Sequence, residues 1–414
     1  MPLKPTPLFD NLEQQGNPFK VSRFELPAWI PNTPLGALQD YEYAWKYLWS
    51  YNGSTATFNA YRREVERVIQ WSWFVAQRTV ASLKREDIEE YVRFCMSPPK
   101  EWVGLKQESR FLTKNGTRVV NERWRPFVVS ISKEKFRLGH EVGYKDYSPS
   151  QASIQSTFSI LSSFFGYLIQ EELIESNPVA LIRQKSKFVK KNQQQAPVRR
   201  ISNLQWEYVI ETIEQAANEN PVEYERSLFI MNCLFAMYLR ISELVADERS
   251  EPKMGDFRRD NDGNWWFHVT GKGNKDRIVT VSDEMLKSLK RYRKHLGLSS
   301  LPSLDDKTPL VSKISGKGPL TSTRQIRILV QSCFDRAYER MRRDGLEEDA
   351  GELKSATVHW LRHTGISEDV KIRPREHVRD DAGHASMQTT DRYIESDLRE
   401  RHASGKKKKL KDLA

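Results

Sequence analysis

The sequence predicts a mainly α-helical protein of two domains, with a small β-sheet or hairpin in the second. Three observations predict it. The chain has 414 residues, enough for two cores. Apolar residues recur at helical spacing over long stretches of both halves. Two β-rich segments, 265–269 and 277–281, flank the turn-forming run Gly271-Lys272-Gly273-Asn274-Lys275.

Residues 1–34 are rich in proline and poor in periodicity, and read as an extended N-terminal arm. Residues 35–184 read as a helical domain. Leu38, Tyr41, Trp45 and Leu48 mark a first helix. Thr55 is placed to cap a second, which carries Phe58, Tyr61, Val65, Val68 and Ile69 on one stripe. A third spans 87–96. A fourth spans 150–173, with Ile154, Phe158, Leu161 and Phe165 facing one way. An insertion around 98–147 interrupts them. Its Asn115-Gly116 pair is a two-residue hairpin signal. Arg110, Lys114, Arg118, Arg123, Trp124 and Arg125 give it a basic, aromatic-interleaved character that suits either DNA contact or a solvated loop.

Residues 185–200 read as an interdomain linker. Lys185, Lys187, Lys190, Lys191, Arg199 and Arg200 lie in it with no acidic residue, which suits a segment tracking a phosphate backbone. A second domain, 201–393, opens with a helix capped at Asn203 and carrying Trp206, Val209, Ile210 and Ile213. A buried helix over 228–245, the hairpin, and helices over 285–295, 325–343 and 359–370 follow. Residues 394–414 read as a basic tail containing the lysine run 406–409.

The net charge of +11 and a pI near 9.3 favour a polyanionic partner. Cys95, Cys233 and Cys333 are far apart and lack metal-ligand spacing, which fits a reducing compartment. Met1-Pro2-Leu3-Lys4-Pro5 opens no signal-peptide h-region, and the longest apolar run, 228–239, is too short to span a bilayer. A cytoplasmic protein without membrane partners is the expectation.

The chemistry gathers in 357–393. His359 and Arg362, three apart, share one helix face. The motif His359-Trp360-Leu361-Arg362-His363 is followed by Gly383-His384 and then Tyr393. A guanidinium, two imidazoles and a phenol can neutralise a phosphate and attack it with the phenolic oxygen. Each piece alone is ordinary, since a lone His-x-x-Arg is usually a surface pair. Upstream, Arg240 ends an apolar run and Lys272 sits in the glycine-rich turn.

This ordered set, Arg240, Lys272, His359-x-x-Arg362, Gly383-His384 and Tyr393, resembles the tyrosine recombinase (lambda-integrase) family over about half of the chain. The resemblance implies a helical, SAM-like core-binding domain followed by a tyrosine-recombinase catalytic domain. It implies a site-specific recombinase that cuts and rejoins double-stranded DNA through a 3′-phosphotyrosine, with no cofactor or metal. Tyr393 would be the nucleophile, and Arg240, Arg362 and His384 would hold the phosphate. His359 would help deprotonate Tyr393 or hold the phosphate, and Lys272 would be the general acid. It further implies a homotetramer on two DNA sites, accessory partners in some systems, and carriage on a mobile genetic element. Asp380-Asp381 before Ala382-Gly383 departs from the aliphatic residues common in the family, which questions the packing around His384. Glu243 reads as a buttress for an arginine. A type IB topoisomerase and a non-catalytic DNA-binding relative are the alternatives.

Overall fold

The computed structural model describes residues 4–132, 135–136, 139–180, 182, 199–248, 250–270, 276–313, 315–391, 393 and 405–406. The chain divides into two compact units, Met1–Gln194 and Gln195–Ala414. Among the described residues no helix is long and apolar enough to cross a membrane.

The first unit is built on helices α1 (Ala37–Trp49), α2 (Thr55–Phe74), α3 (Arg85–Met96) and α4 (Gln151–Gln170). The caps of α2 and α4 are serines. Ser54 accepts from the Thr57 amide and Ser150 from the Ser153 amide. The α2 cap thus falls one residue before Thr55, because the capping residue must itself stay extended for its hydroxyl to reach back to a first-turn N–H. Leu48, Phe58, Val65, Ile69, Trp73, Phe158 and Phe165 fill the core between these helices. Asp40, Glu64 and Glu66 are among the carboxylates buried in this unit. Asp40 accepts from Trp73 Nε1 at 2.8 Å and from the Val80 amide at 2.7 Å, linking α1 to the chain after α2. Burial pushes its carboxyl up to about 6, although both donors pull the other way.

The N-terminal segment, mostly extended, is fastened to this unit. Leu8 and Phe9 are buried in its core. Their amides donate to Glu66 Oε1 on α2, at 2.7 and 3.3 Å. Gln70 Nε2 donates to the Thr6 carbonyl at 2.8 Å. The insertion carries the hairpin β1 (Phe111–Lys114) and β2 (Thr117–Val120), with Thr113 opposite Arg118 and Lys114 opposite Thr117. Asn115 (φ 49) and Gly116 (φ 77) both take the left-handed conformation that a two-residue hairpin turn demands.

The basic look of this insertion is largely spent inside the unit. Arg110 Nε donates to Glu66 Oε2 at 3.0 Å and its guanidinium stacks over Trp124, which is buried. Arg118 grips the Asp10 carboxylate through Nε at 2.8 Å and Nη2 at 2.5 Å. Arg125 donates to the Glu122 and Trp124 carbonyls. Lys114 and Arg123 remain exposed. Arg110 and Arg118 thereby tie the insertion to α2 and to the N-terminal segment.

The second unit packs helices around a three-stranded antiparallel sheet. Helix α5 (Asn203–Glu219) opens on a reciprocal cap. The Gln205 amide donates to Ser202 Oγ, and the Ser202 amide donates to Gln205 Oε1 at 2.8 Å. Ser202, not Asn203, is therefore the capping residue. Helix α6 (Pro221–Ala236) follows. The sheet orders β3 (Phe257–Arg259), β4 (Trp265–Thr270) and β5 (Asp276–Thr280), with Thr270 opposite Asp276. The hairpin expected from sequence is thus β4–β5, and β3 is an additional strand beside it. Helices α7 (Asp283–His295), α8 (Thr323–Arg343), α9 (Val358–Asp369), α10 (Arg375–Ala382) and α11 (Met387–Asp391) complete the unit. Phe229, Leu234, Phe267, Val279, Leu289, Phe334 and Leu361 belong to one core, and Trp206 stacks on Phe235 at 4.1 Å.

The helix expected over 228–245 is not continuous. Helix α6 ends at Ala236, Tyr238 turns left-handed (φ 50), and a 3₁₀ turn covers Ile241–Glu243. Apolar character runs straight through this break because both pieces are buried, so hydropathy alone does not mark it.

Candidate active site

The break after α6 positions the first components. Left-handed backbone at a non-glycine residue costs of order 1–3 kcal/mol and persists only where its surroundings enforce it. At Tyr238 they do. Its carbonyl accepts from Arg362 Nη1, and its hydroxyl is bonded to Asp369 and, at 3.1 Å, to Arg373 Nη1. Arg240 then caps the 3₁₀ turn. Its amide donates to Glu243 Oε2 at 2.8 Å and its Nη1 to Oε1 at 2.9 Å. The other side of Glu243 is taken by Arg277 of β5, which donates to both carboxylate oxygens at 2.8 Å each. Burial alone would raise the Glu243 carboxyl, but Arg277 and Arg240 outweigh it and hold it below the usual range. The buttress role expected of Glu243 is therefore played toward two arginines.

Helix α9 presents His359, Arg362 and His363. Gly365 brings it against the end of α6, where a Cβ would stand 2.1 Å from the Phe235 carbonyl oxygen. Arg362 is 5% exposed and also donates to the Ala382 carbonyl at 2.5 Å. Its Nη2 stands 3.4 Å from His384 Nε2. Burial, then the charge of Arg240, pulls its guanidinium down to about 10.

Helix α10 ends at Gly383, left-handed at φ 63, where a Cβ would come 2.8 Å from Arg277 Cδ. The Gly383 carbonyl accepts from Arg240 Nη2 at 3.2 Å. Asp381, the unusual acid, is buried and satisfied. It accepts from the Thr280 amide at 3.1 Å and from Arg373 Nη2 at 2.6 Å. The pair Arg373–Asp381 locks α10 to β5 and to the Tyr238–Asp369 group, so a charged clamp does here what aliphatic packing would do. Asp380 is exposed and pairs with Arg379.

Tyr393 follows α11, its amide bonded to the Thr390 carbonyl at 2.9 Å. Its ring stacks on His384, with centroids 5.7 Å apart and planes 12° apart. Its hydroxyl lies 2.7 Å from His363 Nδ1. His384 Nδ1 is 2.9 Å from the buried Thr390 hydroxyl. Burial first, then Arg362 and Arg240, pulls the His384 imidazole down to about 4. Desolvation and the charges of Arg362, Arg327 and Arg240 also lower His359.

Arg362, His384 and Tyr393 thus form one chain of contacts, which Arg240 joins through the Gly383 carbonyl. His359 lies beside His363, with ring centroids 6.2 Å apart, and Tyr393 is bonded to His363. Lys272, Lys185, Lys187, Lys190 and Lys191 lie outside the described residues. Arg199 is exposed, and Arg200 is paired with Glu368 at 3.9 Å. Sequence reasoning passed over Tyr238, Arg277, His363, Asp381 and Thr390 as site components. Arg277 and His363 stood next to recognised motifs, Asp381 was marked only as a departure before Gly383-His384, and nothing local distinguishes Tyr238 and Thr390.

The depressed His384 pKa carries a stability consequence. A histidine that titrates near 6.5 unfolded and about 4 folded binds more protons when unfolded. Its contribution is complete above about 6.5 and is lost as pH falls toward 4. The unfolding midpoint of the protein should fall on acidification from pH 7 to 4.5, and less steeply in His384→Gln. Parallel curves would assign the acid sensitivity to other groups.

The description of the Phage integrase family matches residues 206–400, a little under half of the chain. Tyrosine recombinase XerC of Thermodesulfovibrio yellowstonii is 28% identical over 263 residues, 60% of this chain and 73% of the relative. Among solved structures, the XerH site-specific recombinase bound to its palindromic difH substrate in a post-cleavage complex superposes with a TM-score of 0.55 at 15% identity. That match covers 90% of this chain and 86% of the other. The Tn1549 transposon integrase in complex with a circular intermediate DNA gives 0.52 at 15% identity, covering 89% and 98%. The fold and the site define a helical enzyme of the class that breaks and rejoins DNA strands through a tyrosine. Residues 206–400 thus match the phage integrase family, and the chain is similar to tyrosine recombinases in sequence and in fold.

Proposed function

We propose that this chain is a site-specific recombinase in which Tyr393 attacks a DNA phosphodiester held by Arg240, Arg362 and His384. The observation that carries this reading is the Tyr393 ring, stacked on His384 beside the Arg362 guanidinium with its hydroxyl already hydrogen-bonded. A phosphodiester repels nucleophiles, and its pentacovalent transition state is more negative still, so preset cations and donors at the equatorial oxygens lower the barrier. Arginine forks suit those oxygens. Attack forms the tyrosyl phosphate and releases a 5′-hydroxyl, and the conserved bond energy lets another 5′-hydroxyl displace the tyrosine without ATP.

Double-stranded DNA is the partner. The basic 185–200 segment supplies phosphate contacts, and four protomers assemble on two sites through the 394–414 tail. Carriage on a mobile element and work in the cytoplasm fit the same reading. The test is covalent capture. A randomised pool of nicked duplexes incubated with the protein should yield a stable adduct that peptide mapping assigns to Tyr393, on a selected sequence. Relaxation of supercoiled plasmid with no sequence dependence would favour the topoisomerase alternative.

Lys272 is the general acid in this reading. An alkoxide leaves only as it is protonated, whereas a thiolate leaves unaided, and losing such an acid costs about 10²–10⁴-fold in rate. Lys272→Ala should be slowed to that extent on the selected duplex and recover when sulfur replaces the scissile 5′ oxygen. Lys275→Ala should be slowed less and show no selective recovery. Recovery of the Lys275 variant alone would reverse the two roles.

A further inference from the structure

The family resemblance offers His359 as an acceptor for the phenol proton, whereas the structure places His363 against the phenol. We infer that His363, the residue after Arg362 in the α9 motif, is the general base that takes the Tyr393 proton. Three geometric facts support it. His363 Nδ1 and Tyr393 Oη stand 2.7 Å apart, inside the range for direct proton transfer between heavy atoms. The two rings are tilted by 38° with centroids 5.4 Å apart, so nitrogen and hydroxyl meet edge to edge. His363 is also carried by the same helix as Arg362, so base and phosphate ligand move as one rigid piece.

The other two imidazoles are less suited. His384 lies nearly parallel to the Tyr393 ring, which presents its face to the phenol, and its Nδ1 is engaged by Thr390. His359 sits one helical turn back, ring to ring with His363, in the position of a neighbour to the base.

The O–H bond of Tyr393 breaks, its proton passing to His363 Nδ1 and its electron pair staying on Oη. That pair forms the new bond to phosphorus. The P–O5′ bond breaks, and O5′ leaves with its electron pair and takes a proton from Lys272, the general acid of the proposed function. The imidazolium created on His363 is offset by the phosphodiester anion, so DNA binding itself makes the transfer favourable. In rejoining, the same histidine returns the proton to Oη as tyrosine leaves.

This inference rests on Tyr393 being the nucleophile, and the experiment separates the two. The probe is a nicked duplex selected by covalent capture with the unaltered protein. If no duplex is captured, the nucleophile assignment fails before His363 is tested. On a captured duplex, His363→Ala and His363→Gln should bind as the unaltered protein does yet form adduct about 10²–10⁴-fold more slowly. Trifluorotyrosine at 393, a phenol far more acidic than the ordinary value of about 10, needs less help to lose its proton. It should restore most of the lost rate in both His363 variants and change the unaltered protein little. Unchanged rates in both variants would overturn the proposal. So would a slow rate that trifluorotyrosine leaves equally slow, because a merely structural histidine would not respond to the acidity of the phenol.

Discussion

Tyr393→Phe is expected to bind duplex DNA and remain folded while forming no covalent adduct. The substitution removes one oxygen and nothing else. The ring that stacks on His384 at 5.7 Å keeps its volume and face, so the packing of 384–393 has no reason to change. The lost bond to His363 is worth about 0.5–1.5 kcal/mol by general experience, too little to unfold a domain with a core of this extent. Arg240, Arg362 and His384 keep their geometry, so phosphate binding survives. Attack has no substitute, because a phenyl ring offers no lone pair to phosphorus. Covalent capture on the selected duplex, a binding titration and an unfolding curve read the three quantities separately. An adduct persisting in the phenylalanine protein would place the nucleophile elsewhere.

Gly365→Ala is expected to lose both stability and activity, at a position that touches no substrate. A helix interior normally prefers alanine by about 1 kcal/mol. Here the added Cβ would stand 2.1 Å from the Phe235 carbonyl oxygen and the Tyr238 ring lies 3.2 Å away, so α9 must move off α6. Forced overpacking of this kind costs about 1–3 kcal/mol, and backbone against backbone belongs at the upper end. The displacement also separates Arg362 from the Tyr238 carbonyl and shifts His363. Misplacement by about 1 Å is enough to cost about 10²-fold in rate. The control is Gly166→Ala, in the middle of α4 with nothing within 4 Å of its Cβ, which should gain about 0.5–1 kcal/mol. Denaturant midpoints for both proteins decide it. A stable, active Gly365→Ala would mean that the two helices have room to part.

The long helices were legible because core-facing residues such as Phe58, Val65 and Ile69 repeat at the helical period, whereas the short α10 and α11 carry too few turns to show one. Cap identity was legible to within one residue, since Ser54-Thr55 and Ser202-Asn203 each offer two suitable side chains and only backbone geometry selects between them. The hairpin at Asn115-Gly116 was legible because few residue pairs tolerate two left-handed positions. The end of α6 was not, because Tyr238 adopts its strained conformation under bonds from Arg362, Asp369 and Arg373, all more than a hundred positions away.

By itself the sequence determined the helical class, the β4–β5 hairpin and the residue types from Arg240 to Tyr393 in their order, all of which are properties of neighbouring positions. Only the tertiary structure decided that Tyr393 meets His363, that Asp381 is clamped by Arg373 and Thr280, and that Arg110 and Arg118 serve Glu66 and Asp10. The physical reason is that periodicity encodes which face of an element is buried. Which charge meets which, across elements, is set by how those buried faces close against one another, as at Gly365, where the absence of a side chain lets α9 reach α6 and fixes the position of everything it carries.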